Sequence, residues 1–212
     1  MDSTFKYLNA ALKTSPNDLS ACDQLSVQYH QLGLFFQAIQ YRERAISLDP
    51  TYGVYYANLA SIYLDLGDFE KSEKALDKAL LLEPDGVSAL ETRARVRISR
   101  ENLTGAEEDI QRALAINTQG INRRWESWFS AMKAAKAGEK EKALSLSNNW
   151  SIYLALGMKK EALDNLEKEQ NLKYLNLKNS SIYDPLRSDP RFEKLLEQTQ
   201  LVYEERLKRY AN

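Results

Sequence analysis

The chain has 212 residues, 28% of them charged, and a net charge of −1, so it carries no surplus of cations to hold a nucleic-acid backbone or an anionic membrane surface. One Cys and one His exclude a disulfide framework, a Cys-rich zinc site and any paired-His metal or acid–base site. No run approaches the ~18 apolar residues of a membrane span, and Met1 leads into Asp2 and Lys6 with no signal-like apolar stretch. A cytoplasmic location is therefore expected, or a soluble fragment of a larger or exported protein.

Taken in chain order, residues 1–18 read as half of a helix pair, with Asp2 to Pro16 as its second helix. A periodicity then governs the next hundred residues. Pro16, Pro50 and Pro84 stand 34 residues apart, as do Gly33 and Gly67. The same step joins Ala11, Ala45, Ala79 and Ala113, then Leu12, Ile46, Leu80 and Leu114, then Ala38, Ser72 and Ala106. Three units follow, 19–52, 53–86 and 87–120. Each has a first helix that ends near a glycine and a second that ends before a proline, which has no N–H to continue it. Asp18 is a candidate N-cap for the first unit. The third unit departs from the pattern, with Glu101 in the glycine column and Thr118 in the proline column. The alanines mark where two helices cross closely, and no segment alternates with period two, so no sheet is predicted.

Residues 121–170 read as degenerate, compressed pairs. Ile121 to Ala137 is one long helix with Trp125, Trp128 and Phe129 on a face that is either core or a partner-binding ridge. Glu139 to Leu146, Asn149 to Leu156 and Lys159 to Glu169 are shorter helices. Residues 171–187 read as an extended linker, and 188–210 as a capping helix with Leu195, Leu196, Thr199, Val202 and Leu207 inward. In that cap Phe192 faces Leu163 and Leu166, Ser188 or Asp189 caps, and Arg187 and Arg191 either fix the turn or recognise a partner.

The 34-residue period with small residues at fixed places resembles the tetratricopeptide repeat. The stretch Asp184-Pro-Leu-Arg-Ser-Asp-Pro-Arg-Phe192 is similar to the terminal motif of a group of bacterial tetratricopeptide domains attached to winged-helix regulators, cyclases or kinases. These resemblances imply an all-α, right-handed superhelical solenoid of antiparallel helix pairs with a C-terminal capping helix. They also imply a module that binds proteins rather than one that catalyses.

No phosphate-binding glycine loop, nucleophile elbow or zinc motif is present, so no catalytic, metal or cofactor residue is assigned. Cys22 reads as a buried packing thiol and His30 as a solvated groove residue or a partner contact. Arg93, Arg95, Arg97 and Arg100 are expected to pair with Glu91, Glu107 and Glu108, with an acidic-peptide contact through Arg95 as the alternative. First helices of such an array line a concave groove. By repeat position that groove presents Asp23, Val27 and Gln31, then Asn58, Ser61 and Asp65, then Thr92, Arg95 and Ser99. In co-chaperone domains of the family, basic side chains clamp a C-terminal dicarboxylate. Here Asp23, Ser88 and Thr92 occupy those positions, so no such clamp is expected. The expected partner is a neutral or amphipathic peptide or protein, with no nucleic acid and no membrane insertion. The alternative reading is a sensory domain of a multidomain enzyme, a cyclase or kinase with its catalysis elsewhere.

Overall fold

The computed structural model describes residues 2–116 and 123–211, all helix and connecting turns with no strand among them. The third unit's end at 120, Thr118, Ile121 and the side chain of Trp125 lie outside the described residues. Helix α1 (Asp2–Thr14) is followed by three antiparallel pairs: α2 (Leu19–Gln31) with α3 (Phe35–Leu48), α4 (Gly53–Leu66) with α5 (Phe69–Leu82), and α6 (Val87–Ser99) with α7 (Leu103–Ile116). Two further pairs follow, α8 (Arg123–Lys136) with α9 (Lys140–Leu146), and α10 (Trp150–Ala155) with α11 (Lys159–Leu166). The pairs stack into a right-handed solenoid with the first helices on its concave side.

Local chemistry starts and stops these helices. Asp18 Oδ1 accepts from the Ala21 N–H at 2.9 Å and Asp68 Oδ1 from the Lys71 N–H at 3.1 Å, satisfying donors that the first turn leaves open. Within each pair the helices touch at two columns of small residues, positions 26, 60, 94 and positions 38, 72, 106, all fully buried. In the first pair Ser26 on α2 donates to the Ala38 carbonyl on α3 at 2.8 Å. In the second, Ser72 on α5 donates to the Ala60 carbonyl on α4, also at 2.8 Å. The same crossing is thus tied from opposite sides, and the third pair closes it with Ala94 and Ala106 alone. A second periodic tie joins neighbouring units. Arg44 donates to the Pro16 carbonyl, and Arg112 donates to the Pro84 carbonyl at 2.9 Å, each 28 residues after its proline.

The C-terminal segment departs from the sequence expectation. Residues 171–187 are not an extended linker: Tyr174–Asn179 form α12, and Ser181–Leu186 form a 3-10 turn. Leu175, Leu177, Tyr183 and Leu186 are all buried, and a helical backbone meets its own hydrogen bonds while burying them. Helix α12 lies against the ends of the first helices. Gly67 closes α4 in the left-handed region (φ 84°), and a Cβ there would meet the Asn179 carbonyl oxygen at 2.9 Å. Glu101, its counterpart one unit on, keeps the left-handed turn at φ 63° with a mostly exposed side chain. The glycine is lost where the turn faces solvent and kept where α12 presses on it.

Helix α13 (Pro190–Tyr210) starts with Asp189 as its N-cap, accepting from the Arg191 N–H at 2.9 Å. Phe192 is buried in one cluster with Leu163, Leu166, Leu177, Tyr183 and Leu186. Arg191 bonds Asp164 at 2.6 Å and Glu167 at 2.8 Å, and Arg187 bonds Asp184 at 2.7 Å and the Ser180 carbonyl at 3.1 Å. At about 1.5 Å per residue the helix spans roughly 31 Å, long enough to reach back to the first unit. There Tyr203, Leu207 and Tyr210 pack on the core of α1 and α2, while Val202, expected inward, is exposed. The Phe5 and Tyr210 rings lie 4.8 Å apart, Tyr29 Oη donates to the Tyr210 carbonyl at 2.8 Å, and Arg206 donates to the Leu32 carbonyl at 2.9 Å. The last helix therefore closes the array on its own beginning.

Two stability measurements check these contacts. Gly67→Ala is expected to cost about 2–4 kcal/mol, the left-handed penalty plus displacement of α12. Gly157→Ala, at φ 73° with open space around it, should cost only the ~1–2 kcal/mol of the backbone conformation; equal losses in urea unfolding would mean α12 does not seat on Gly67. Phe192→Ala is expected to cost about 3–5 kcal/mol. It should speed hydrogen exchange in Lys159–Leu166 before it does so in α4 and α5; unchanged exchange there would place Phe192 outside the core.

Candidate partner-binding groove

The concave face is organised around one carboxylate. Asp65, in the last turn of α4, receives His30 Nε2 of α2 at 3.0 Å and Lys173 Nζ at 2.9 Å, with Arg95 of α6 at 3.6 Å. Its backbone carbonyl accepts from Asn176 Nδ2 of α12 at 2.7 Å. Burial works to raise the Asp65 pKa, but the His30 hydrogen bond and the Lys173 and Arg95 charges outweigh it and hold the carboxyl well below the usual carboxylate range. His30 is thus half-buried and engaged within the chain rather than solvated. Tyr183, buried nearby, donates to Asn176 Oδ1 at 3.0 Å, and burial pushes its hydroxyl pKa up.

The nine groove positions fare differently. Asp65, Arg95 and Ser99 come together on one cleft. Val27 and Gln31 are exposed on α2, and Asn58 and Ser61 are half-buried on α4. Thr92 is buried and its hydroxyl donates to the Ser88 carbonyl of its own helix at 2.8 Å, so it offers nothing to the groove. Asp23 is bound by the buried Arg42 guanidinium, which also lies 5.4 Å from the Tyr55 ring centroid and whose Nε has no hydrogen-bond partner among the described residues. The expected pairing of the α6 arginines is corrected. Arg93 and Arg97 both bind the buried Asp109, at 2.6 and 2.8 Å, while Arg100 takes Glu73 and Glu107 goes to Lys133. Asp109 lies closer to the helix-pair interior than the glutamates, and an ion pair there is less screened. Cys22 is buried, which pushes its thiol pKa up. Phe129 is core, whereas Trp128 is half-buried and donates from its indole N–H to Ser151 Oγ at 2.9 Å.

Beyond Asp65 the concave side opens into a cleft of about 1240 Å³. Its walls come from the ends of α4 and α6, from α8, from the turn before α10, from α11, and from residues 176–185 of the C-terminal segment. Sequence reading missed Trp150, Asn149, Asn165 and Asn176, all of which line it. Segments this short carry too few turns for a helical period to appear. Among the described residues no group of His, Cys, Asp or Glu could hold a metal ion, and no helix is long and apolar enough to cross a membrane.

A tetratricopeptide repeat family model matches residues 54–85, the second unit. Solved structures share the architecture over most of the chain. A tetratricopeptide repeat protein from Parabacteroides merdae ATCC 43184 aligns over 98% of this chain and 91% of its own, at 22% identity and a TM-score of 0.59. MamA aligns over 77% of this chain and 87% of its own, at 21% identity and a TM-score of 0.55. YrrB, described as a tetratricopeptide protein with an unusual peptide-binding site, aligns over 95% of both chains at 14% identity and a TM-score of 0.52. Among curated proteins, RNA polymerase II-associated protein 3 of Xenopus laevis is 28% identical over 96 residues, 45% of this chain. The matched stretch spans only 14% of that relative's length. The fold is that of a tetratricopeptide-repeat solenoid.

The Asp65 network makes a pH-dependent contribution of definite sign. A carboxyl whose folded pKa is depressed adds stability that is full above its unfolded value, ~3.9, and is lost as pH falls through the folded pKa. Asp65→Asn should therefore cost about 1.5–3 kcal/mol at pH 7, with the gap to the unmodified chain closing below about pH 4. Urea unfolding at pH 7, 4 and 2.5 measures it, and a gap independent of pH would remove Asp65 from the network.

Proposed function

We propose that the chain is a non-catalytic interaction scaffold that holds a peptide or a segment of a partner protein on the concave side of its solenoid. The observation that supports this reading most directly is the cleft itself, which α4 and α6 line with Asp65 and Ser99, 34 residues apart, and with Arg95. The fold class is used generally for protein binding, and the solved relative described as having an unusual peptide-binding site points the same way. Within this reading the partner is not an acidic C-terminal tail. Asp23 puts a carboxylate at one clamp position, Ser88 and Thr92 bring no charge to the others, and Thr92 is buried. The bacterial signalling or regulatory setting rests on the Asp184–Phe192 segment alone.

The test is affinity capture from a lysate of cells that express the protein, followed by amine cross-linking and mass spectrometry. The expected cross-links run from the partner to Lys136 and Lys173, on the concave side. Links confined to Lys74 and Lys78, on the second helix of the middle unit, would move the interaction to the convex face and overturn the reading.

A further inference from the structure

We infer that the cleft beyond Asp65 is the binding site for an uncharged peptide segment carrying one or two large apolar side chains; this rests on the scaffold reading above. Size comes first. At about 1240 Å³ the cleft exceeds the ~300–1,000 Å³ of ordinary small-molecule pockets, so a single metabolite leaves it part-empty while a short stretch of chain fills it.

Charge comes second. Of the ionised groups on its walls, Asp65, Arg95, Glu101 and Lys136 are matched within the chain, and Glu169 is exposed to solvent, where its charge is screened. Lys136 binds Glu101 at 2.9 Å, and Arg95 lies in the cluster that neutralises Asp65. A ligand charge set against the paired groups would have to break one of these pairs, at the cost of leaving a partly desolvated charge behind. A neutral ligand breaks none.

Hydrogen bonding comes third. Asn149 spends its Oδ1 as the N-cap of α10, accepting from Ser151, and its Nδ2 makes no bond among the described residues. Asn165 spends its Nδ2 on the Glu161 carbonyl, and its Oδ1 makes no bond among them. Two residues of the same cleft thus hold one amide donor and one amide acceptor in reserve, the complement of a backbone C=O and N–H. Ile98, Met132, Leu146 and Leu154 supply apolar wall for side chains, with the Trp128 and Trp150 rings beside them.

The experiment selects ligands for the intact chain from a displayed library of random 12-residue peptides. Enriched peptides are expected to be net neutral, with one or two Leu, Ile, Phe, Trp or Met. Their affinity is read from quenching or shift of the indole fluorescence. Ser99→Trp, which fills the cleft from α6, should weaken them at least about tenfold; Asn165→Trp, filling it from α11, serves where the first variant fails to fold by circular dichroism. A benzophenone placed in the best peptide should cross-link to the segments around Trp128 and Trp150. Adducts on α2 near Val27 and Gln31, with affinity unmoved by either filling variant, would keep the scaffold reading and overturn this site. Enrichment of acidic or basic peptides would overturn the neutral ligand. No enrichment at all, or a small molecule retained by the purified chain in native mass spectrometry that no selected peptide displaces, would overturn the peptide assignment.

Discussion

The buried Asp65 carboxylate is the constraint on which the concave side depends. A single ion in that position costs several kcal/mol unless it is paired, and the pairs come from three directions: His30 on α2, Arg95 on α6 and Lys173 just before α12. Two of those belong to neighbouring repeats, so the carboxylate sets how the first helices sit against each other. The third belongs to the C-terminal segment, so the same charge fixes where that segment crosses the concave face. With Lys173 in place, Asn176 reaches the Asp65 carbonyl, Tyr183 reaches Asn176, and the 3-10 turn that walls the cleft follows. The Lys173 ion pair and the Asn176 hydrogen bond together tie α12 to the middle unit.

Closure changes the physics of the array. An open solenoid is a chain of nearest-neighbour contacts, each unit supported only by those beside it. Here Tyr29 bonds Tyr210 across a separation of 181 residues, and Arg206 bonds Leu32 across 174. Such contacts carry a loop-closure cost that local pairing does not, and they couple the first helix pair to the last. They also bury apolar surface that an open end would expose: Phe5, Leu8 and Tyr29 at the start, and Leu163 and Leu166 near the end, are all covered by α13 or the segment leading into it.

The repeat columns show which positions tolerate change and why. The close crossing within each pair requires small side chains, and it accepts serine on either helix because a hydroxyl can be absorbed by the facing carbonyl. The left-handed turn requires glycine only where another backbone presses on it. At Gly67 that backbone is Asn179, whereas Glu101 turns toward solvent and bears only the modest conformational cost. Pairing of charges follows reach and burial rather than abundance, which is why Arg93 and Arg97 converge on Asp109 and pass over nearby glutamates.

By itself the sequence determined the helix pairs of the three regular units, their 34-residue register and the small-residue crossings. All of these rest on local backbone preferences and on a periodicity that repetition makes visible. Repeat position assigned Asp65, Arg95 and Ser99 to one groove as an expectation, and the folded chain brings all three to one cleft. Only the tertiary structure decided that Thr92 faces inward, that Asp23 is engaged by Arg42, and that residues 174–186 are helical rather than extended. Contacts between residues a hundred or more positions apart leave no period in the chain. The pairing of Lys173 with Asp65 and of Tyr210 with Tyr29 therefore follows from where the folded backbone brings them. The same is true of the cleft, whose walls are drawn from six separate stretches of the chain.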